Sequence, residues 1–282
     1  KDVIRSYERA TLDLFAATSE YALFNTMQTG VTHYPLRYYQ TEALYLLDHI
    51  YLHAQTELML KHNQPQHKIK DFVADLLDKI EDDKLTPFLA YEMATGSGKT
   101  MLIGASIYFL NKKYGIDNFL IITPASTDIY QKTIRNFQIG NFESVWADDT
   151  PFTFNLITGD NYTQNLFFDH SKDANIFVFN ISKFGANATN SEKTWESAIW
   201  QDEHGNNISI RQFLKNEKLV IITDEAHHAQ TRTANAIIKK FHPLAVLEFT
   251  ATAIDMEQSD KKNQNIVYKY SINNFLEDGY GK

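Results

Sequence analysis

The chain has no cysteine. Disulfide frameworks, thiolate zinc sites and thiol nucleophiles are all excluded by that, and the composition suits a reducing cytosol. No stretch approaches the roughly 18 consecutive apolar residues that a membrane helix needs, and Lys1 to Arg9 contain no apolar signal core. A cytoplasmic location without a membrane partner is therefore expected. An excess of basic residues is missing too. Lys and Arg number 27 against 35 Asp and Glu, a net charge of −8, so broad electrostatic coating of nucleic acid is not supported. A local grip on a strand remains open, because it uses a few N–H, hydroxyl and Lys or Arg contacts rather than total charge. There is no H-E-x-x-H, and His53, His62 and His67 are scattered through a polar stretch, which does not suggest a metal site.

At 282 residues and 43% hydrophobic composition, the chain can bury a sizeable core. Apolar residues from Ile4 to Thr26 recur at helical spacing. After the breakers Gly30 to Pro35 a long amphipathic helix is expected through Leu60, and another from Ile69 to Ile80. From Phe88 the rhythm changes. Short strands apolar on both faces are expected at Phe88–Met93, Phe119–Thr123, Phe154–Ile157, Ile176–Asn180, Leu219–Thr223 and Ala245–Thr250. Helices are expected near Thr100–Lys113, Asp128–Phe137 and Glu225–Phe241. Apolar strands alternating with helices predict an α/β domain with a parallel sheet covered on both faces and its active edge at the carboxyl ends of the strands. Gly185 to Asn207 breaks the alternation and reads as a surface insertion with a hairpin at its end. Trp195 and Trp200 there are taken first as local packing, with base stacking as the alternative.

The rest of the chain is organised around Phe88 to Ala105. An apolar strand runs into Ala94-Thr95-Gly96-Ser97-Gly98-Lys99-Thr100 and then into a helix, which is the layout of a phosphate-binding P-loop. Gly96 and Gly98 let successive N–H groups curl toward phosphate oxygens, with Ser97 between them. Lys99 reaches the β and γ phosphates, and the Thr100 hydroxyl is suited to Mg²⁺. Against the strict pattern G-x-x-x-x-G-K-[ST], Met93 stands where the first glycine belongs. A second site lies downstream, where the strand Leu219 to Thr223 delivers Asp224 and Glu225 at its carboxyl end. Asp224 there suits Mg²⁺, and Glu225 suits the base that takes a proton from the attacking water. Asp82-Asp83-Lys84 fits the tail of a D-x-K nuclease signature, but its place at a charged helix end favours a solvated cap.

With Asp224-Glu225-Ala226-His227-His228 added to the P-loop, the chain resembles the superfamily 2 helicases. The P-loop form beginning at Ala94 is that group's own variant, so Met93 is no defect. Phe249-Thr250-Ala251-Thr252 resembles the third motif, which implies that Thr250 and Thr252, with His227, couple nucleotide state to strand movement. Ile122-Thr123-Pro124 and Asn180-Ile181-Ser182-Lys183 resemble motifs that touch the nucleic-acid backbone, which assigns Pro124, Asn180 and Lys183 to that contact. Leu36-Arg37-Tyr38-Tyr39-Gln40 resembles the adenine-reading Gln motif, which assigns Arg37 and Gln40 to the nucleotide. Within the superfamily the likeness is strongest to the motor of restriction enzymes, especially the type III Res subunit.

The resemblance implies a three-layer RecA-like P-loop domain. Its catalytic residues would be Lys99, Asp224 and Glu225, its cofactors ATP and Mg²⁺, and its partner nucleic acid, with double-stranded DNA favoured. A second RecA-like domain and nuclease or modification subunits are expected elsewhere. Residues 1–86 are expected to be a helical region carrying the Gln motif, 87–255 the ATP-binding domain, and 256–282 the start of a linker or of a second domain not in this chain. Because the chain starts at Lys and closes on Gly279-Tyr280-Gly281-Lys282, it is expected to be a piece of something longer. Three other readings stay open: a regulatory module that binds nucleotide without hydrolysing it, an RNA helicase of the same superfamily, and a P-loop enzyme acting on a small molecule.

Overall fold

In the computed structural model, the residues described are 30–48, 50, 88–162, 169, 171–184, 200–201, 205–224, 238, 241–251 and 266–280. Residues 38–48 are helical and are called α1. The following elements are β1 (Phe88–Met93), α2 (Lys99–Tyr114), β2 (Asn118–Thr123), α3 (Thr127–Phe137), β3 (Phe154–Thr158) and β4 (Ala174–Asn180). A short 3₁₀ turn, Ile181–Phe184, precedes β5 (Trp200–Gln201), β6 (Asn207–Ile208), α4 (Ile210–Asn216), β7 (Leu219–Asp224), β8 (Ala245–Thr250), β9 (Ile266–Tyr270) and α5 (Ile272–Glu277).

Seven strands form one sheet in the order β3-β4-β2-β7-β8-β1-β9, and every pairing in it is parallel. A parallel strand covered on both faces must be apolar at odd and even positions alike. β7 shows this directly, with Val220 and Ile222 in one core cluster and Leu219 and Ile221 in the other. The first cluster also takes α1 (Ala43, Leu44, Leu47), α2 and α3. The second takes Ile210 and Leu214 of α4, with Ile238 and Phe241. The result is a three-layer α/β sandwich of the RecA-like P-loop class.

The helices start and stop where local chemistry dictates. Ser209 and Gln212 close a capping box on α4, with Gln212 N–H donating to Ser209 Oγ at 3.2 Å and Ser209 N–H to Gln212 Oε1 at 2.8 Å. Ser271 Oγ accepts from Asn274 N–H at the start of α5. α2 ends on Gly115, whose left-handed backbone (φ 60°) sends its N–H back to the last turn.

Two ties hold the leading segment to the sheet domain. Residues 31–33 run beside 145–147, with His33 N–H donating to Val145 O at 2.8 Å and Ala147 N–H to Val31 O at 3.0 Å. The buried Asp48 of α1 meets Lys113 Nζ at 2.8 Å and the Tyr114 hydroxyl at 2.5 Å on α2. Over its described residues, then, the leading region assigned to 1–86 shares one core with the sheet.

Three elements differ from the sequence expectation. The stretch assigned to a linker or second domain carries β9, the seventh strand of this same sheet, paired to β1, and then α5. α4 was not foreseen as a helix. The hairpin expected in the insertion exists as β5 and β6, paired antiparallel through Trp200 with Ile208 and Gln201 with Asn207. The Trp200 side chain, Trp195, and the helices expected at 4–26, 69–80 and most of 225–241 lie outside the described residues. No helix among the described residues is long and apolar enough to cross a membrane.

Candidate active site at the carboxyl edge of the sheet

Strand register brings the motifs to one level. Glu92 at the end of β1 stands opposite Thr250 of β8, and Asp224 at the end of β7 stands opposite Phe249. On the next strands Ile122 pairs with Thr223 and Thr123 with Asn180. The P-loop, Asp224, Thr250, Pro124 and Asn180 therefore lie along one edge although the sequence separates them widely.

The P-loop turns through two left-handed glycines, Gly96 (φ 80°) and Gly98 (φ 81°), a conformation that side chains with a Cβ adopt only at a cost. Ser97 N–H closes the turn on Ala94 O at 3.1 Å. Gly98 then caps α2 without any side-chain hydrogen bond, and the first turn of α2 holds no acidic residue. The first N–H groups of a 16-residue helix thus have neither a capping side chain nor a repelling charge, the condition for an anion site. The buried Ser97 Oγ in the same loop has no hydrogen-bond partner. Lys99 is buried at the helix start and Thr100 is half-buried.

These observations fit a polyphosphate. Among the described residues no group of three or more His, Asp or Glu could hold a metal by itself. A hard cation here would be shared between the Thr100 hydroxyl, the Asp224 carboxylate and phosphate oxygens, the usual manner of Mg²⁺.

Gln40 packs against the P-loop from behind. Its Nε2 donates to Gly98 O at 3.0 Å and Ser97 O at 3.3 Å, and its Oε1 accepts from Arg37 N–H at 2.8 Å. Arg37 Nη1 donates to the Tyr39 hydroxyl at 3.1 Å, and its guanidinium lies 4.1 Å over the Tyr280 ring. Asn180 is buried, and its Oδ1 accepts from Ser182 N–H at 2.8 Å, opening the 3₁₀ turn that follows β4. Pro124 is buried at the end of β2 and Thr250 is buried at the end of β8. Glu225, His227, Thr252 and the Lys183 side chain lie outside the described residues.

Sequence reasoning missed two features. Tyr39 donates its hydroxyl to Ser97 O at 2.7 Å, so it touches the P-loop as directly as Gln40 does. Glu248 is buried on β8, its Oε2 has no hydrogen-bond partner, and burial pushes its carboxyl up to about 7. It stands opposite Thr223 of β7, whose buried Oγ1 is also without a partner. A carboxylate inside Ala-Val-Leu-Glu-Phe-Thr is the signal that would have marked it.

A phosphate-shaped turn between a parallel strand and a helix, with a threonine level with it on the adjacent strand and an acid on the strand beyond, defines a RecA-like P-loop domain. The chain belongs to the family described as type III restriction enzyme, res subunit, whose model matches residues 33–255. It is similar to the type III restriction-modification enzyme StyLTI Res subunit of Salmonella typhimurium (strain LT2). Identity is 23% over 226 residues, covering 75% of this chain and 22% of that protein. The chain thus spans under a quarter of that relative's length.

Among solved structures it is similar to a nuclease-deletion mutant of the type ISP restriction-modification enzyme LlaGI in complex with a DNA substrate mimic. The TM-score is 0.46 and identity 14%, over 76% of this chain and 21% of that one. It is also similar to the Sulfolobus solfataricus SWI2/SNF2 ATPase core in complex with dsDNA. There the TM-score is 0.37 and identity 15%, over 79% of this chain and 33% of that one.

Proposed function

We propose that this chain is the ATP-binding half of a DNA translocase motor of a restriction enzyme, acting on double-stranded DNA and completed by a second RecA-like domain. The observation that carries the reading is the P-loop itself: two left-handed glycines, an uncapped helix start and an unpartnered Ser97 hydroxyl, level with Asp224. The N–H groups from Gly96 to Thr100 bind the phosphates, and the Lys99 ammonium neutralises the β and γ oxygens. Thr100 and Asp224 are the residues that would hold Mg²⁺, which when bound supplies Lewis-acid polarisation of those oxygens. Glu225 takes the proton of the water that attacks the γ-phosphate. Thr250 and Thr252, with His227, couple the nucleotide to the strand, and Pro124, Asn180 and Lys183 face the DNA backbone. Nuclease and modification subunits are the expected partners.

Stabilising the charge that develops on the γ-phosphate takes an arginine finger, worth roughly 10³ to 10⁵ in rate. Of the six arginines, at 5, 9, 37, 135, 211 and 232, Arg37 is stacked on Tyr280 and Arg135 pairs with Glu143 at 2.5 Å. On this reading the finger is supplied by the second RecA-like domain. The test is titration of the chain with a fluorescent ATP analogue. Wild type binds it and Lys99→Ala loses tight binding. Phosphate release stays near background with and without duplex DNA. Unchanged affinity in Lys99→Ala would refute the nucleotide site, and DNA-stimulated turnover at the rate of a motor would refute the division between two domains.

A further inference from the structure

The P-loop is held on its carbonyl side by residues from both ends of the described chain. If the N–H groups of residues 96–100 are to face phosphate, the carbonyls of Ser97 and Gly98 must turn away from it. Gly98 O accepts from Leu102 N–H at 3.1 Å as the first bond of α2 and again from Gln40, whereas Ser97 O takes Tyr39 and Gln40 as its donors. Tyr39 is not held by its own helix alone. Its ring stacks on Tyr270 with centroids 3.8 Å apart and planes 14° from parallel, and meets Tyr280 edge-on at 5.9 Å. Tyr270 O in turn accepts from Ala94 N–H at 2.9 Å, at the first residue of the loop. The Tyr270 hydroxyl donates to Asp278 Oδ2 at 2.5 Å, and the Tyr38 hydroxyl donates to the same oxygen. A Cβ at Gly96 would come within 3.9 Å of the Phe275 ring. Ala94, Gly96 and Ser97 are thus each approached by residues 270–280, directly or through Tyr39.

We propose that residues 270–280 are a strap that sets the shape of the P-loop through Tyr39, with Asp278 as the latch that holds Tyr270 and Tyr38 in place. Tyr39, Tyr270 and Asp278 are positioning residues for nucleotide binding and none of them touches the nucleotide. Releasing Asp278 lets Tyr270 swing, unstacks Tyr39 and removes a donor from Ser97 O. The loop then samples peptide orientations that do not present its N–H groups together, and nucleotide affinity falls. A segment that lies after the third motif thereby acts on the site at which ATP is bound. The inference rests on the P-loop reading above, so its test has one arm that needs no nucleotide.

The variants are Tyr39→Phe, which keeps the stack and removes the hydroxyl, Asp278→Ala, and Asp278→Asn, which keeps an acceptor of the same shape. Without nucleotide, hydrogen–deuterium exchange of the Ala94 and Ser97 amides, the loop N–H groups that are hydrogen-bonded, is expected to rise about tenfold in Tyr39→Phe and in Asp278→Ala, the scale of one lost hydrogen bond. The dissociation constant for the fluorescent ATP analogue is expected to rise about fivefold to tenfold in the same two variants. Both readouts return toward wild type in Asp278→Asn. Unchanged exchange in Asp278→Ala overturns the strap, as does an exchange increase that Asp278→Asn fails to reverse. Should the wild type bind no nucleotide while exchange responds as expected, the nucleotide reading falls and the strap stands. Thermal midpoints taken alongside separate a loosened loop, in which the midpoint barely moves, from a general loss of packing, which would also count against the proposal.

Discussion

Replacing Gly98 with alanine probes two features of the P-loop at once. The backbone there is left-handed at φ 81°, and an added Cβ would come 2.6 Å from Gln40 Nε2. The backbone cost for a residue with a Cβ is about 1–2 kcal/mol. The Gln40 amide is the end of a flexible side chain and yields, but in yielding it gives up its bonds to Gly98 O and Ser97 O. The stronger of those is worth about 1 kcal/mol. The sum is about 2–3 kcal/mol, a fall of about 5–10 °C in the thermal midpoint for a domain of this size. Where the free loop instead relaxes out of the strained turn and binding must restore it, the same ~2–3 kcal/mol falls on binding and the nucleotide dissociation constant rises about 30-fold or more.

The two contributions separate in a double-mutant cycle with Gln40→Ala, read by thermal melts and nucleotide titration. In the Gln40→Ala background the new methyl meets only Met101 Cβ, at an ordinary 3.8 Å, so Gly98→Ala should cost only the backbone share. An equal cost in both backgrounds refutes the contact with Gln40, and no cost in either refutes the left-handed turn.

The buried Glu248 makes stability depend on pH. Its carboxyl is raised from 4.5 to about 7, so the folded chain keeps a proton that the unfolded chain releases. Stability is full below about pH 4.5, declines as pH rises toward about 7 and levels off above, a loss on the order of 3 kcal/mol. Glu248→Gln should flatten that decline in melts taken across the window, and an unchanged slope would show that another group titrates. Asp48→Ala removes the buried partner of the half-buried Lys113 and Tyr114 and should destabilise by about 1–3 kcal/mol, since the Lys113 ammonium loses its carboxylate but keeps some access to water. A midpoint within 2 °C of wild type, the least shift that even about 1 kcal/mol would give, would show that α1 is fastened to α2 by apolar packing alone.

The sequence showed the central strands plainly, because a strand buried on both faces must be apolar throughout. β1 and β8 fall at the residues that the apolar runs mark, and β2, β3, β4 and β7 differ only by one or two residues at an end. β9 was opaque for the opposite reason. Among the described residues it has one neighbour, and it exposes Ile266 and Lys269, so Ile-Val-Tyr-Lys-Tyr gives no continuous run and reads equally well as a connection. α4 is only seven residues long, too short for periodicity to register, although Ser209-x-x-Gln212 was a legible helix start. In the site, the P-loop could be read because its chemistry lies in consecutive residues. The hold of Tyr39 and Gln40 on it could not, because the groups they bind are backbone carbonyls 57 and 58 residues away, and a carbonyl leaves no mark in a sequence.

The position of β1 decides from which side the P-loop can be altered. β1 lies between β8, which ends in the third motif at Thr250, and β9, which leads into the strap. β8 is itself paired to β7 over five residue pairs, from Val220 with Ala245 to Asp224 with Phe249, so moving it breaks a ladder on each side. Among the described residues β9 is paired on one side only, and its register with β1 slips between Ala90 and Tyr91. Its remaining fastenings to neighbouring elements are side-chain contacts: Val267, Tyr268 and Tyr270 in the core, Lys269 with Glu92 at 2.7 Å, and the Tyr268 hydroxyl with Glu42 at 2.9 Å, none of which is a backbone ladder of the kind β8 has on both sides. Of the two neighbours, β9 therefore shifts at the lower cost, and because Tyr270 closes that strand, such a shift reaches Ala94 and Tyr39 before it reaches anything else in the site.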